Sequence, residues 1–232
     1  MESTNELSTI SILLIGFALG LRHAVEADHL AAVSTIVSEK KSLLTASIVG
    51  GMWGVGHTIA LFMVGAVVIF LKVRISETTE ARLEAVVGIM LVILGLNALR
   101  KLFSAESIHI HKHEHDGREH IHIHTHNAAG ETSHHRFSPR SIFIGMVHGL
   151  AGSAALMLLI LPVIPSAAVA LLYIVIFGAG SIGGMMAMSF MIGLPFHFTA
   201  GRFAVLNGAI RLMAGVFSLS LGGWMVYEKL TV

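Results

Sequence analysis

The pattern of apolar and polar positions divides the chain into six apolar runs, at roughly 8–36, 43–71, 81–103, 140–162, 166–192 and 203–227. Each is long enough for a helix to cross a hydrocarbon layer of about 30 Å. The first and fifth exceed one span, which calls for tilt or a break. Polar punctuation separates the runs. Ser38-Glu39-Lys40-Lys41-Ser42 closes the first, and 72–82 carries charges of both signs. Pro162 and Pro165 bracket the turn between the fourth and fifth, and 195–202 separates the fifth from the sixth. Glycines crowd the second run (Gly50, Gly51, Gly54, Gly56) and the fifth (Gly178, Gly180, Gly183, Gly184). Small residues let backbones approach where lipid supplies no hydrophobic drive, and they also suit unwound segments that line a cavity. The pattern predicts an all-α integral membrane protein of about six transmembrane helices. Residues 1–103 and 140–232 form three-helix halves, and 104–139 forms the loop between them.

Composition sharpens this. With 54% hydrophobic and 12% charged residues and a mean hydropathy of +0.79, the chain is not a soluble domain. A net charge of +1 without a basic face excludes nucleic acid as a partner. The lack of cysteine excludes disulfides and thiolate metal sites, so a metal must be held by His, carboxylate, Met or backbone oxygen. The start, Met1-Glu2-Ser3-Thr4-Asn5-Glu6, is acidic and does not read as a cleaved signal peptide. With the N-terminus outside, inner loops hold Lys40, Lys41, Arg100, Lys101, Lys112, Arg118, Arg136, Arg140 and Arg202; outer ones hold Lys72, Arg74, Arg82 and Lys229. Basic residues favour the cytoplasmic side. The expectation is a multi-pass protein of the cell membrane, with both termini outside and the 104–139 loop cytoplasmic.

A short likeness links the two halves. Ile15-Gly16-x3-Gly20-Leu21 matches Ile144-Gly145-x3-Gly149-Leu150, each in the first span of its half. Three spans per half would make the halves inverted, a plan common among secondary transporters with a site near the midplane. Coincidence among apolar residues is the other reading, and both stand at this point.

The chemistry concentrates in Arg22-His23-Ala24-Val25-Glu26-Ala27-Asp28-His29, inside the first apolar run. Ionisable groups are costly at that depth and usually face a bundle interior or a watery path. With no Pro or Gly between His23 and Val37, the octet reads as helix; a loop between two short segments is the alternative. On one continuous helix His23, Glu26 and His29 form an i, i+3, i+6 stripe with Arg22 on the same side, while Asp28 points elsewhere. Asp28 then ligates only if the helix is distorted, or else orients a histidine from behind. Two imidazoles with carboxylates suit nickel, cobalt, copper or zinc. A charge-paired crossing, with Arg22 neutralising Glu26, is the competing explanation. His57, in Gly54-Val55-Gly56-His57-Thr58, and His148, in Val147-His148-Gly149, are each either ligand or buried packing residue. His197, beside Pro195, reads as interfacial, and Met185, Met186, Met188 and Met191 read as packing.

His23-x4-Asp28-His29 resembles the signature of the nickel/cobalt transporter (NiCoT) family, including its UreH-like, urease-accessory permease branch. Gly56-His57-Thr58 is similar to that family's second motif, a Gly-His-Ser/Thr in the following span. The resemblance implies that His23, Asp28, His29 and His57 belong to a metal-selecting path. The chain also departs from the family. Larger members carry a span before the His-x4-Asp-His one, and their second-half acidic motifs are missing here: the fourth run reads His148-Gly149-Leu150-Ala151-Gly152-Ser153-Ala154-Ala155.

Ten of the fifteen histidines fall between His109 and His135. His109, His111, His113 and His115 precede Asp116-Gly117, and His120, His122, His124 and His126 follow it. Alternation by two puts side chains on one strand face, and Asp-Gly is a favoured hairpin turn. The spacing predicts a hairpin stabilised by metal. A two-residue Asp116-Gly117 loop pairs His113 with His120, His111 with His122 and His109 with His124, whereas a four-residue loop over 116–119 shifts the pairing by two. Either register keeps the eight histidines on one face. An unstructured histidine-rich buffer is the alternative.

The expected function is transport of a divalent transition metal, Ni²⁺ before Co²⁺, with uptake favoured over efflux. The ion is cargo, and no prosthetic group is expected. Cytoplasmic metallochaperones are expected partners beside the ion and the bilayer. A membrane-anchored, nickel-binding accessory protein for urease maturation is the second reading. The chain holds no Gly-x4-Gly-Lys-Ser/Thr and no His-Glu-x-x-His, so neither an ATPase nor a metallopeptidase is expected. A carrier of small anions or amino acids would rely on Arg22 instead.

Overall fold

The computed structural model describes residues 2–40, 42–72, 75–104, 109–115, 118–124, 139–151, 164, 166–200 and 203–231. In chain order the elements are α1 (Glu2–His23), α2 (Ala27–Val37), α3 (Leu43–Leu71), α4 (Glu77–Ser104), β1 (His109–His115), β2 (Arg118–His124), α5 (Pro139–Ala151), α6 (Ala167–Thr199) and α7 (Ala204–Thr231). Helices α3, α4, α6 and α7 are long and apolar enough to cross a membrane, and α1 with α2 forms a further span bent by 54°. The expected fourth span is described only as far as Ala151. The protein is an all-α membrane protein, apart from the small hairpin between α4 and α5.

Two expectations are corrected. The first run carries the break that its length allowed, but the break falls within the octet read as helix. Val25 N–H donates to Arg22 O and Glu26 N–H to His23 O, closing α1 in a tight turn, and Leu30 N–H to Glu26 O opens α2. Glu26 sits between them in extended backbone, φ −66° and ψ 151°. The Asp28 carboxylate accepts the His29 N–H at 2.8 Å, satisfying an orphan donor at the new helix start, where negative charge is also favoured. No glycine or proline is needed. The second correction concerns the fifth run, which continues through Pro195 to Thr199. Side chains secure its last turn: Thr199 Oγ1 donates to Pro195 O at 2.7 Å, and Asn207 Nδ2 donates to Phe196 O at 3.1 Å and Thr199 Oγ1 at 2.8 Å.

Glycine contacts give the helix arrangement. Gly16 and Gly20 press α1 onto Tyr173, Phe177 and Ser181 of α6, running the same way; Gly145 and Gly149 press α5 onto Trp53 and His57 of α3, also the same way. The second helices run antiparallel, with Gly50 against Ser189 and Gly178 against Thr58; so do α4 and α7, where Gly88 meets Gly222 and Gly95 meets Gly215. Helix α1 thus lies on α6, and α5 on α3. At Gly149 an added Cβ would meet the backbone of His57 and the Ala60 side chain. Gly149→Val is therefore expected to cost about 1–3 kcal/mol through overpacking, seen as a lower melting temperature in detergent.

Polarity is arranged inside out. His23, His29, His57, His148, Ser181, Ser189 and Ser218 are buried, while Leu14, Phe70, Val205 and Met213 are exposed. In water this exterior would aggregate; in hydrocarbon it is the expected surface. Among the methionines, Met185 is core, while Met186 and Met191 face outward. His197 is exposed, in keeping with an interfacial place.

Candidate metal centre

The break at Ala24–Glu26 places two histidines in one buried cluster. His23 ends α1, and His29 lies in the first turn of α2; their ring centroids are 4.3 Å apart. Helix α3 brings His57, whose ring is 5.0 Å from that of His23 and 5.4 Å from that of His29. Helix α5 brings His148, 4.2 Å from His29 and 5.8 Å from His57. Each of the four side chains is at most 1% exposed. The approach of α5 to α3 that seats His148 depends on Gly145 and Gly149.

Hydrogen bonding sets the ring tautomers. The two oxygens of Asp28 divide between two rings: Oδ1 lies 2.9 Å from His29 Nδ1 and Oδ2 lies 3.1 Å from His148 Nε2. Beside an ionised carboxylate both of these nitrogens donate. The opposite nitrogens, His29 Nε2 and His148 Nδ1, are buried and have no hydrogen-bond partner among the described residues. A carboxylate behind an imidazole raises its basicity and leaves the far lone pair for a metal. His23 Nε2 and His57 Nε2 lie 3.1 Å apart, so as neutral rings one donates to the other. Two nitrogens bound to one ion at ~2.1 Å and ~90–110° lie roughly 3.0–3.4 Å apart. The pair is spaced for an ion that takes the place of the shared proton.

Ligand atoms of His23, His29 and His57 all lie within 4.8 Å of one another, as do those of Asp28, His29 and His148. Trp53 walls the cluster, its ring 5.2 Å from His29 and 5.3 Å from His148, with the indole N–H buried and without a partner among the described residues. Phe177 of α6 closes another side, 5.6 Å from His23.

Of the sequence candidates, His23, Asp28, His29, His57 and His148 come together. Glu26 only touches the edge: its Oε2 lies 3.0 Å from His23 Nδ1, and its side chain is 41% exposed. The continuous-helix stripe that placed Glu26 between the two histidines does not form, because the chain leaves the helix there. Arg22 is exposed and outside the cluster, which also removes the Arg22–Glu26 pairing. Trp53 was missed; its only sequence signal was its place one helical turn before His57, in a glycine-rich span. In the hairpin, β1 and β2 pair antiparallel with His109 opposite His124, His111 opposite His122 and His113 opposite His120, the register expected from the Asp-Gly turn, while His115 meets Arg118. His126 lies outside the described residues.

The comparisons with known proteins agree with this chemistry. Residues 9–228 match the profile of NicO, described as high-affinity nickel-transport protein. The chain belongs to the NicO family. It is 38% identical over 230 residues, 97% of its own length and 94% of the other's, to the urease accessory protein UreH of Bacillus sp. (strain TB-90). It is 30% identical to the high-affinity nickel transport protein of Cupriavidus necator over 89 residues, 37% of this chain and 25% of that one. A likeness of 26% over 185 residues, 77% of this chain and 46% of the relative, extends to the chloroplast protein FOR GROWTH AND FERTILITY 2 of Arabidopsis thaliana. No solved structure matches. As a NicO protein the chain is a multi-pass membrane protein with a metal-transport or nickel-related role.

Proposed function

We propose that this NicO protein carries Ni²⁺ into the cell, with Co²⁺ as a secondary cargo. The observation that supports this best is the buried group of four imidazoles and one carboxylate inside a membrane-spanning bundle. Such donors suit borderline, late first-row ions and disfavour Mg²⁺ and Ca²⁺, which demand oxygen. His23, His29, His57, His148 and Asp28 replace part of the ion's water shell. The halves 1–103 and 140–232 act as inverted repeats that alternate access around the site, as their reciprocal helix contacts suggest. The histidine-rich hairpin faces the cytoplasm, where it holds arriving ions and passes them to metallochaperones. A doubly charged ion moving inward gains about 4.6 kcal/mol per 100 mV, so the membrane potential suffices as a drive.

The test is flux of radioactive nickel into proteoliposomes carrying the purified protein. Uptake is expected to rise when a potassium diffusion potential makes the interior negative, and to fall when the potential is reversed. Equal flux under both signs would exclude potential-driven uptake.

A second reading is supported by the urease accessory name of the UreH relative. Here the protein binds nickel at the membrane for delivery to an enzyme without transporting it. That reading needs the hairpin and not the buried cluster. Removal of residues 106–135 should then abolish the phenotype while His29→Ala leaves it intact; transport predicts the reverse order of severity.

The hairpin carries its own prediction. Imidazole ligates only when neutral, so its metal capture is full above its ordinary pKa of about 6.5 and declines as pH falls through that value. The nickel lost when the histidines at 109–126 are replaced by serine, measured by equilibrium dialysis, should shrink at least tenfold between pH 7.5 and 5.5.

A further inference from the structure

Helix α5 starts deeper in the bundle than the helix it packs against. Its Ile142 backbone lies against Gly56 of α3, and its Gly149 against His57. These two residues lie three and ten places beyond the start of α5, but their partners lie thirteen and fourteen beyond the start of α3. At 1.5 Å per residue, α5 therefore begins roughly 10 Å inside the end of α3. Above this recess a cleft of about 70 Å³ opens between α2, α4 and α5, several times the space that one water needs.

The lining has the chemistry of an anion site. Lys40 beyond the end of α2, Lys101 in the last turn of α4 and Arg140 at the start of α5 converge on it. Glu39 is the one carboxylate in the lining, and Lys101 Nζ already meets its Oε2 at 2.7 Å. Lys40 and Arg140 have no acidic partner among the described residues. Ser141 also lines the cleft; it is 4% exposed, and its hydroxyl has no hydrogen-bond partner among the described residues. Next to it stand the first-turn N–H groups of α5, which lack acceptors within the helix and favour negative charge. The remaining wall is apolar, formed by Ile36, Leu94 and Ile144.

The cleft sits at the height of lipid headgroups. Helix α4 has 28 residues, about 42 Å of helix against about 30 Å of hydrocarbon, so its last turn with Lys101 stands at the membrane surface. Basic pockets between spanning helices at that height suit lipid phosphates.

We propose that this cleft binds the phosphodiester of an anionic phospholipid, which braces α2 against α5. The phosphate takes the Arg140 fork, the Ser141 hydroxyl and the α5 N-terminus, and Lys40 and Lys101 balance its charge. The glycerol and first methylenes rest on the apolar wall. Without the phosphate, Lys40 and Arg140 repel each other across the cleft. The brace lies close to the metal centre: Thr35 of the lining is six residues from His29 on α2, and Ser141 is seven from His148 on α5, about 9 and 10 Å along each helix.

The test counts lipids bound to the purified full-length protein by native mass spectrometry, without metal. Phosphatidylglycerol is compared with phosphatidylcholine, which carries the same phosphodiester but offsets its charge with choline. Wild type is expected to bind one phosphatidylglycerol about tenfold more tightly than phosphatidylcholine. Arg140→Gln and Lys40→Gln, on different helices, should each weaken phosphatidylglycerol by about fivefold or more, and Ser141→Ala should weaken it less. Arg100→Gln, next to Lys101 but outside the lining, should leave it unchanged. Melting temperatures matching wild type in phosphatidylcholine show that the variants fold, and phosphatidylglycerol should raise that of wild type but not of Arg140→Gln.

An equal loss in Arg100→Gln and Arg140→Gln means diffuse surface charge, and equal binding of the two lipids means no anion site; either result sinks the proposal. Displacement of phosphatidylglycerol by equimolar inorganic phosphate assigns the cleft to a water-borne anion and overturns the lipid. Bound phosphatidylglycerol that leaves the wild-type melting temperature unchanged overturns the brace. No arm contains nickel, so each outcome is independent of the transport reading above.

Discussion

His29→Ala returns cell-associated nickel to the empty-vector level in a host without its own nickel transporters, at sub-micromolar supply. This is the largest effect expected from any single change in the protein. His29 is the histidine whose ring lies nearest to two others, 4.3 Å from His23 and 4.2 Å from His148. It is fully buried, and its Nε2 has no other occupation among the described residues. Its loss removes a donor from both groups and leaves the Asp28 carboxylate with one fewer partner in a dry setting. Because stranding a buried charge also threatens folding, His29→Gln accompanies it: the amide keeps the contact with Asp28 but offers no imidazole nitrogen. Both variants are compared at matched membrane abundance. Nickel at the wild-type level in either one means that the buried cluster is not the path, and the accessory reading then takes over. Less nickel in wild type than in the empty vector means that the protein exports.

Asp28→Asn lowers nickel affinity by about 10–100-fold, the usual consequence of losing a group that orients metal-bound histidines. The carboxylate does this for two rings at once, at 2.9 Å and 3.1 Å. An asparagine has the same shape, but its single acceptor oxygen can serve only one ring, and its amide hydrogens compete with the other. One histidine then populates the tautomer in which the lone pair faces the new amide instead of the ion. The amide also carries no charge to offset that of the metal, which weakens binding further. Isothermal titration of the purified protein, with the hairpin histidines replaced by serine, measures the effect directly. Unchanged affinity would show that Asp28 positions nothing, and that its contacts with His29 and His148 are structural only.

Much of the candidate site was legible because its residues are chemically out of place. His23, Asp28 and His29 stand in an apolar run, and His57 stands among glycines; hydrocarbon tolerates such groups only where something else offsets their desolvation. The hairpin, though not the choice between its two registers, was legible for a different reason. Alternation by two and an Asp-Gly turn are local properties, set by the backbone geometry of a few neighbouring residues. The roles of Glu26, Arg22 and His148 were not legible. A helical wheel assigned Glu26 and Arg22 to the face of His23 and sent Asp28 elsewhere, because nothing in the local propensities breaks the helix between His23 and Val37. What breaks it is the capture of the His29 N–H by the Asp28 carboxylate, together with the burial of both histidines against α3 and α5.

The sequence by itself determined that the chain lives in a membrane, roughly where most of its described spans lie, which histidines and carboxylates are candidates for metal, and that the histidine-rich stretch forms a hairpin. These follow from transfer free energies and local geometry, both of which act over stretches of a few to about twenty residues. Only the tertiary structure decided that the first span is bent by 54°, that Asp28 turns inward while Glu26 turns outward, and that His148 of α5 completes the cluster. Those outcomes depend on distant backbones approaching at Gly145, Gly149 and Gly56, where each added atom would meet a facing helix. Such contacts join residues far apart in the chain, as Gly149 joins His57, and no local pattern encodes them.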